Sequence, residues 1–503
     1  MKPILKILKA AVLIGLWAGV AHASGNTDSK DLLIKFTDAQ ALLNFTTMVQ
    51  SGGARIETLG DDSSWVRVQL TDKQLRKITL DEIRANPNVL AAQPNYKLKM
   101  ATDFRLNAKD RARLAKILAS HPDDFPFPIP GGGQPPADNP AIPAVGTGGG
   151  SGADPLFSKQ WGMNDIGTNK SGTAKGDGVV VAVIDTGVDY THEDLVQNLW
   201  RNKGEMGKDA QGRDMSSNGV DDDGNGFIDD VIGWDFVSND NKPFDLAMGL
   251  IDILMNGGNP GHGTHCAGNV AGRGNNGKGI TGVAPNAQIM SIRFLGEKGG
   301  GTTADAVKSI NYAVKNGAQV MSNSWGSSGE DPNEAEDNKA LRDAVVAAEN
   351  AGVLFIAAAG NGDQMGKGYD NDSSKVPAYP ASYDNDIIVS VAALDSADAL
   401  GTFSNWGARS VDIGAPGVVV FSTTVGSTYN DTVFDMFGMK ATWDGTSMAT
   451  PHVAGAAALY LSAHPGADWK EVKNALMSTS KKVPSLSGKT TSGGKLSVEN
   501  LMR

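Results

Sequence analysis

The sequence predicts an α/β protein built on a doubly wound, mostly parallel sheet with helices on both faces, preceded by a small α+β unit. Three observations carry this expectation. From Asp154 onward, the near-continuous apolar runs 179–184, 289–294, 319–323, 353–358 and 387–391 have the form of strands buried on both faces. Between and after them, residues 303–316, 335–350 and 448–463 carry helical patterns. Residues 30–100 behave differently, alternating short strands with two helices.

The elements follow in chain order. Lys2, Lys6 and Lys9 precede an apolar run over 10–21, which closes on Ala21-His22-Ala23. A basic flank, a short hydrophobic segment and a small-x-small site have the form of a secretory signal peptide, here 1–23. The run is short against the ~20 residues that span a bilayer, so export to an extracellular or periplasmic location is expected, with no membrane span. Segments 32–36 (strand), 39–50 (helix), 55–59 and 65–70 (strands), 74–85 (helix) and 89–93 (strand) then give the order β-α-β-β-α-β. That order is the ferredoxin-like arrangement, and it makes 24–100 one compact unit. Residues 101–152 join it to the rest. Within them, 104–120 form a basic amphipathic helix carrying Arg105, Lys109, Arg111, Arg113 and Lys116, and 126–152 hold 7 Pro and 8 Gly, the composition of a linker. The larger domain is 153–503.

The 503 residues carry 45 Lys+Arg against 56 Asp+Glu, and the excess acid is concentrated in 153–503, with 27 against 42. Such a body disfavours nucleic acid as a partner and favours bound cations. A single cysteine, Cys266, excludes an intrachain disulfide framework and a cysteine-based zinc site.

Chemistry concentrates where elements end. The run 179–184 leads directly into Asp185-Thr186-Gly187, placing a carboxylate at the C-terminal end of a buried strand, where open α/β sheets bind ligands. Gly261-His262-Gly263-Thr264-His265-Cys266-Ala267-Gly268 sets a glycine-flanked histidine at the start of a helix. Gly445-Thr446-Ser447-Met448-Ala449-Thr450-Pro451 sets a serine at a helix N-terminus, where free N–H groups and the dipole favour developing negative charge. A serine hydroxyl becomes a nucleophile when an imidazole takes its proton, and a buried carboxylate orients and stabilises that imidazole. The run 353–359 ends in Gly360-Asn361-Gly362, which puts an amide donor at a strand end, as an oxyanion requires. Taken singly each feature has a plainer reading: Asp185 and Asn361 as turn residues, and His262 with His265 as a metal pair lacking a third ligand at a recognisable spacing.

Together, D-T-G-V, H-G-T-H-C-A-G, A-A-A-G-N and G-T-S-M-A-T-P resemble the motifs of the subtilisin-like serine proteases, the subtilases, and the Cys266 variant resembles the proteinase K branch. The resemblance covers 153–503. It implies a secreted serine endopeptidase acting through an acyl-enzyme on Ser447, with Asp185 and His262 completing a triad and Asn361 donating to the oxyanion. It implies further that Leu295, Gly296, Gly299, Ser324, Trp325 and Gly326 line an extended protein or peptide substrate. Residues 30–100, with Val89-Leu90-Ala91-Ala92-Gln93-Pro94-Asn95-Tyr96, resemble the family's propeptide. The unit 24–100 is therefore expected to act as an intramolecular inhibitor and folding template, its tail 94–100 lying beside Ser324–Gly326. A monomer without a C-terminal binding domain is expected.

A second constellation is acidic. In Asn218 to Asp230, oxygens recur at Asp221, Asp223 and Asn225, a glycine turns the chain, and Asp229 follows. This is close to a calcium loop, although Ile232 stands where an EF-hand would carry its glutamate. Asp194 and Asn276 resemble family calcium ligands. Calcium is thus the expected cofactor, with a solvated acidic loop as the alternative. Residues 246–256 insert an apolar segment before His262, expected to pack as a helix. Small residues around 357–360 predict a roomy apolar substrate pocket, while Asp363, Asp370 and Asp372 admit a basic preference. Two rival functions are a non-catalytic calcium-binding surface or adhesion protein on an inactive protease scaffold, and a metallohydrolase using His262 and His265.

Overall fold

In a computed structural model, residues 30–503 are described except 51, 61–63, 76–78, 103, 105, 107, 121–140, 144–151, 328–337, 364, 365, 374 and 376. The expected signal peptide and most of the linker lie outside the described residues.

In the small unit, β1 (Asp31–Phe36), β2 (Arg55–Thr58), β3 (Trp65–Gln69) and β4 (Val89–Pro94) form an antiparallel sheet in the order β2-β3-β1-β4. Strand periodicity divides its side chains between two cores. Leu32, Ile34, Val66 and Val68 meet Phe45 and Val49 of the helix Ala39–Gln50, whereas Leu33 and Trp65 face the other way, into the core of the larger domain. The helix expected over 74–85 is observed instead as Asp72–Leu75 and Leu80–Arg84. Its second piece starts afresh because Thr79 and Glu82 form a capping box, each bonding the other's backbone N–H.

A fifth strand, β5 (Lys97–Met100), leaves the small unit altogether. The larger domain contributes β6 (Val180–Asp185), β7 (Gly233–Asp235), β8 (Gln288–Arg293), β9 (Gly300–Thr302), β10 (Val320–Asn323), β11 (Trp325–Ser327), β12 (Leu354–Ala358), β13 (Ile388–Leu394) and β14 (Ile413–Pro416). Seven of these form a parallel sheet in the order β14-β13-β12-β10-β6-β8-β7, extended beyond β14 by Gly494–Lys495 and Lys481–Lys482. From β6 the chain runs through β7 and β8 on one side, then crosses to β10 on the other and on to β12. The C-terminal ends of β6 and β10 therefore flank the topological switch point, the crevice where such sheets bind ligands. Helices Thr303–Lys315 and Lys339–Asn350 pack against each other, as do His262–Ala271 and Thr446–Ala463.

The small unit docks on the N-terminal ends of the first helix pair. Gln93 Oε1 accepts from Ala340 N at 3.0 Å, and Asn95 Oδ1 accepts from Ala304 N at 2.9 Å. Both donors belong to first helical turns, whose N–H groups have no partner within the helix. Lys35 and the Trp65 indole share Asp343, at 2.7 and 2.9 Å.

Within the sheet, Asp235 and Arg293 are register partners on β7 and β8, joined at 2.6 Å and buried. Burial raises the Asp235 pKa while the Arg293 charge opposes that rise. Arg293→Ala strands the carboxylate, and denaturation measured in a Ser447→Ala background is expected to show a loss of ~3–5 kcal/mol, with a smaller loss for the double replacement by apolar residues.

Candidate active site

Asp185 is the last residue of β6, and its Oδ1 meets His262 Nδ1 at 2.7 Å with both side chains fully buried. Burial, the largest single influence, lowers the imidazole pKa, but the charge and hydrogen bond of Asp185, together with Cys266, hold His262 well above the ordinary histidine value. The histidine opens its helix after Gly261, whose φ of +99° is left-handed and whose Cβ, if present, would lie 2.7 Å from Val425. Gly263 is equally constrained, since a Cβ there would lie 2.1 Å from Gly187 O.

Two residues that the sequence left unnoticed seat this helix. Asn259 Oδ1 accepts from Gly261 N and His262 N at 2.9 and 2.7 Å. Asp245 accepts from Thr264 N and Oγ1 at 2.9 and 2.7 Å, from Thr186 Oγ1 at 2.9 Å and from Asn259 Nδ2 at 2.6 Å. Complete burial pushes the Asp245 pKa up to about 6 against those hydrogen bonds. They flank the insertion, which packs as the helix Leu250–Asn256 through Leu250, Ile253 and Leu254. Asn259 lies two residues before the N-cap, Gly261, so the usual capping pattern gave no signal for it.

Ser447 lies in the first turn of Thr446–Ala463 and is fully buried. Its hydroxyl donates to Ser324 O at 3.0 Å, and Ser324 Oγ donates back to Ser447 O at 2.9 Å. Among the described residues, His262 Nε2 is buried without a hydrogen-bond partner. Asn361 Oδ1 accepts from Thr446 N and Oγ1 at 2.9 and 2.8 Å, which fixes the amide and leaves Nδ2 directed past Gly445. A Cβ on Gly445 would lie 3.1 Å from that nitrogen. Cys266 Sγ sits beneath, 3.5 Å from Ser447 O and 4.0 Å from His262 Nδ1, and burial raises its thiol pKa. Its sulfur, His262 and Asp185 are close enough together to form a ligand triplet, but Nδ1 and Oδ1 share a proton at hydrogen-bond distance. His265 turns elsewhere: its Nε2 donates to Val420 O at 3.0 Å, its ring stacks on Trp443, and burial lowers its pKa to about 3.

Beside this cluster, β5 runs antiparallel between β9 and β11. Trp325 pairs with Met100 and Gly326 with Lys99, while Gly299 O accepts from Met100 N at 2.9 Å and Ser324 O from Ala101 N at 3.1 Å. Leu98 and Met100 point inward and are buried; Lys97 and Lys99 are exposed. Leu295 and Gly296 stand behind this edge: Leu295 N bonds Asp185 O, and Gly296 turns the chain onto Gly300.

The acidic residues gather in two places. Carboxylate oxygens of Glu205, Asp221 and Asp223 lie within 4.8 Å of one another. Glu205, distant in sequence and not anticipated, is buried, with Oε1 accepting from Asp222 N and Oε2 unpartnered. Burial raises its pKa. Asn225 Oδ1 accepts from Phe227 N, and Asp229 accepts from Gly219 N, so both are engaged within the loop. Asp230, buried and pushed up to about 7, bonds Asn202, Asn225 and Tyr312. In the second place, Asp194 accepts from Asn276 Nδ2 at 2.7 Å and Ile280 N at 2.9 Å, beside Asp154.

Comparison with known proteins places these motifs in context. Residues 176–498 match the model of the subtilase family. Thermitase from Thermoactinomyces vulgaris is 35% identical over 332 residues, covering 66% of this chain and 91% of its own length. The halolysin-like extracellular serine protease Nep of Natrialba magadii is 30% identical over 328 residues, covering 65% of this chain and 48% of its own. Among solved structures, fervidolysin from Fervidobacterium pennivorans superposes with a TM-score of 0.62 at 21% identity, covering 96% of this chain and 62% of that one. The chain belongs to the subtilase family and is a serine endopeptidase.

Proposed function

We propose that the chain is exported, held inactive by its own N-terminal unit, and hydrolyses proteins through an acyl-enzyme on Ser447. The observation that carries this reading is the buried Asp185–His262 pair, with Cys266 Sγ lying against both His262 Nδ1 and Ser447 O and with Asn361 Oδ1 bonded to Thr446 beside Ser447. For acylation, the Ser447 proton leaves Ser324 O for His262 Nε2 as Oγ attacks a peptide carbonyl carbon. Asp185 holds the imidazole in the tautomer with Nδ1–H and stabilises the cation that forms. The oxyanion takes hydrogen bonds from Asn361 Nδ2 and the Ser447 N–H, each such donor contributing ~3–4 kcal/mol to the transition state. His262 then protonates the leaving amine, and water cleaves the ester by the reverse path. Ser447→Ala is expected to keep the fold but lose fluorophosphonate labelling and at least ~10³-fold in kcat/KM on an unfolded protein substrate; retention of either in a protease-free preparation would sink the assignment.

The unit 24–100 is the inhibitor and folding template. Two features support it: β5 fills the edge that a substrate strand would use, by the pairing that extended peptides make with open sheets, and Gln93 with Asn95 cap two helices of the larger domain. Tethering raises the local concentration until the connection is cut. Purified 24–100 added to mature enzyme is expected to inhibit peptide hydrolysis, and Gln93→Ala with Asn95→Ala to weaken that inhibition at least ~10-fold; no inhibition at micromolar concentrations would remove the reading.

Calcium fits the Glu205–Asp221–Asp223 cluster, because three carboxylates converge there and a buried Glu205 oxygen has no partner. Bound calcium would neutralise that charge and fix the loop. Asp194 and Asn276 are a second candidate pair. A cation that binds only the folded state adds ~2.7 kcal/mol at one hundred times its Kd. Chelator is therefore expected to lower the Tm of the Ser447→Ala protein, and Asp221→Ala with Asp223→Ala to remove much of that response. Identical melting across a calcium titration would identify a solvated acidic loop.

A further inference from the structure

We propose that Ala101–Thr102 is the peptide bond that this enzyme cuts in its own chain, an inference that rests on the endopeptidase reading above. The β5 ladder ends at Ala101, whose N–H donates to Ser324 O at 3.1 Å. That same oxygen accepts from the Ser447 hydroxyl at 3.0 Å. Residue 101 is thus the last rung before the nucleophile. A Cβ placed on Gly445 would lie 3.5 Å from Ala101 O, 2.4 Å from Thr102 Oγ1 and 3.1 Å from Asn361 Nδ2. The carbonyl to be attacked, the residue that leaves and the oxyanion amide therefore converge on one point. Ser447 and His262 have no solvent access, which is the condition of a cleft filled by polypeptide.

On the leaving side, described residues also contact the larger domain. Phe104 packs edge-on against Trp443 at 4.9 Å, Leu106 N donates to Leu254 O at 3.0 Å, and Leu114 is buried. Arg111 Nη1 donates to Met255 O at 3.4 Å. Fixing the polypeptide on both sides of one bond supplies the positioning that an intramolecular attack needs. Ser447 Oγ bonds to the Ala101 carbonyl carbon as its proton passes to His262. The Ala101 C–Thr102 N bond then breaks, and His262 returns the proton to the Thr102 amine. Water next hydrolyses the Ala101 ester, leaving a carboxylate at 101, a free amine at 102 and Ser447 restored. Because Phe104, Leu106 and Leu114 stay docked, a fragment starting at Thr102 precedes any shorter catalytic fragment. The buried Leu98 and Met100 and the small Ala101 also define the substrate class: apolar residues four and two places before the cut residue's carboxyl side, with a small residue at the cut.

The test follows the full chain through maturation, with N-terminal sequencing of the earliest fragments and fluorophosphonate labelling in parallel. The expected result is a first new terminus at Thr102. Ala101→Pro, which removes the N–H bonded to Ser324, should slow that cut at least ~10-fold, whereas Thr102→Ser should preserve it. Circular dichroism and labelling establish that each variant is folded. A labelled enzyme whose first cut falls at another bond, or which stays uncut, overturns the proposal and leaves the endopeptidase reading standing. A Ser447→Ala chain that still acquires a Thr102 terminus in a protease-free preparation overturns it also. Failure of the wild-type chain both to label and to hydrolyse an unfolded protein substrate overturns the catalytic assignment, and the proposal with it.

Discussion

The constraint on which the rest of the site depends is that a carboxylate and an imidazole are kept together out of water. Removing an ion from water costs several kcal/mol even after relaxation, and the cost is offset only by close pairing and full hydrogen bonding. Asp185 meets this through Oδ1, which receives His262 Nδ1 and Thr186 N at 2.7 Å each, while among the described residues the buried Oδ2 has no hydrogen-bond partner. The backbone must then bring the end of β6 against the start of the histidine helix. Gly187, with φ +95°, and Gly263 allow that approach, because a Cβ on either would strike backbone oxygen at 2.7 or 2.1 Å. The sheet, the glycines and the helix start are one requirement expressed at three levels.

A second constraint follows from the cleft itself. Among the described residues β9 and β11 pair in their sheet with β5, and an edge of this kind is a template for any extended chain. On the function proposed above, β5 occupies the place of a substrate strand. The same segment, 93–96, caps two helices of the larger domain. On the function proposed above, folding template and inhibitor are adjacent parts of one chain, so displacement of β5 also bears on the helix caps made by Gln93 and Asn95.

Much of this was legible in the sequence where structure is local. The helix Ala39–Gln50 falls on its expected boundaries, and the buried strands agree within a few residues, because apolar periodicity and apolar runs are written in consecutive positions. Asp185, His262, Ser447 and Asn361 stood out because each lies at or near an element end with a glycine within two positions. The split of the second small helix was missed, although Thr79 and Glu82 spell a capping box. Glu205 and Asp245 were not visible, since each acquires its partners from residues 14 or more positions away, Asp222 being 17 residues from Glu205 and Asn259 being 14 from Asp245. The short antiparallel hairpin of Thr432–Met436 and Met439–Thr442 was also unforeseen, lacking a sustained apolar run.

The insertion at 246–256 joins these themes. At its ends, Asp245 and Asn259 fix the N-terminus of the histidine helix, where the helix dipole favours a buried carboxylate. In its middle, Leu254 and Met255 offer the carbonyls that receive Leu106 and Arg111. One short element therefore both seats His262 and receives the segment that follows Ala101–Thr102. The two duties remain separable, because every hydrogen bond that Asp245 and Asn259 make to Thr186, Gly261, His262 and Thr264 lies within the larger domain. None uses residues 102–120, so the hydrogen bonds that seat His262 do not depend on the chain that fills the cleft. On the maturation proposed above, departure of that chain therefore leaves the seating of His262 intact.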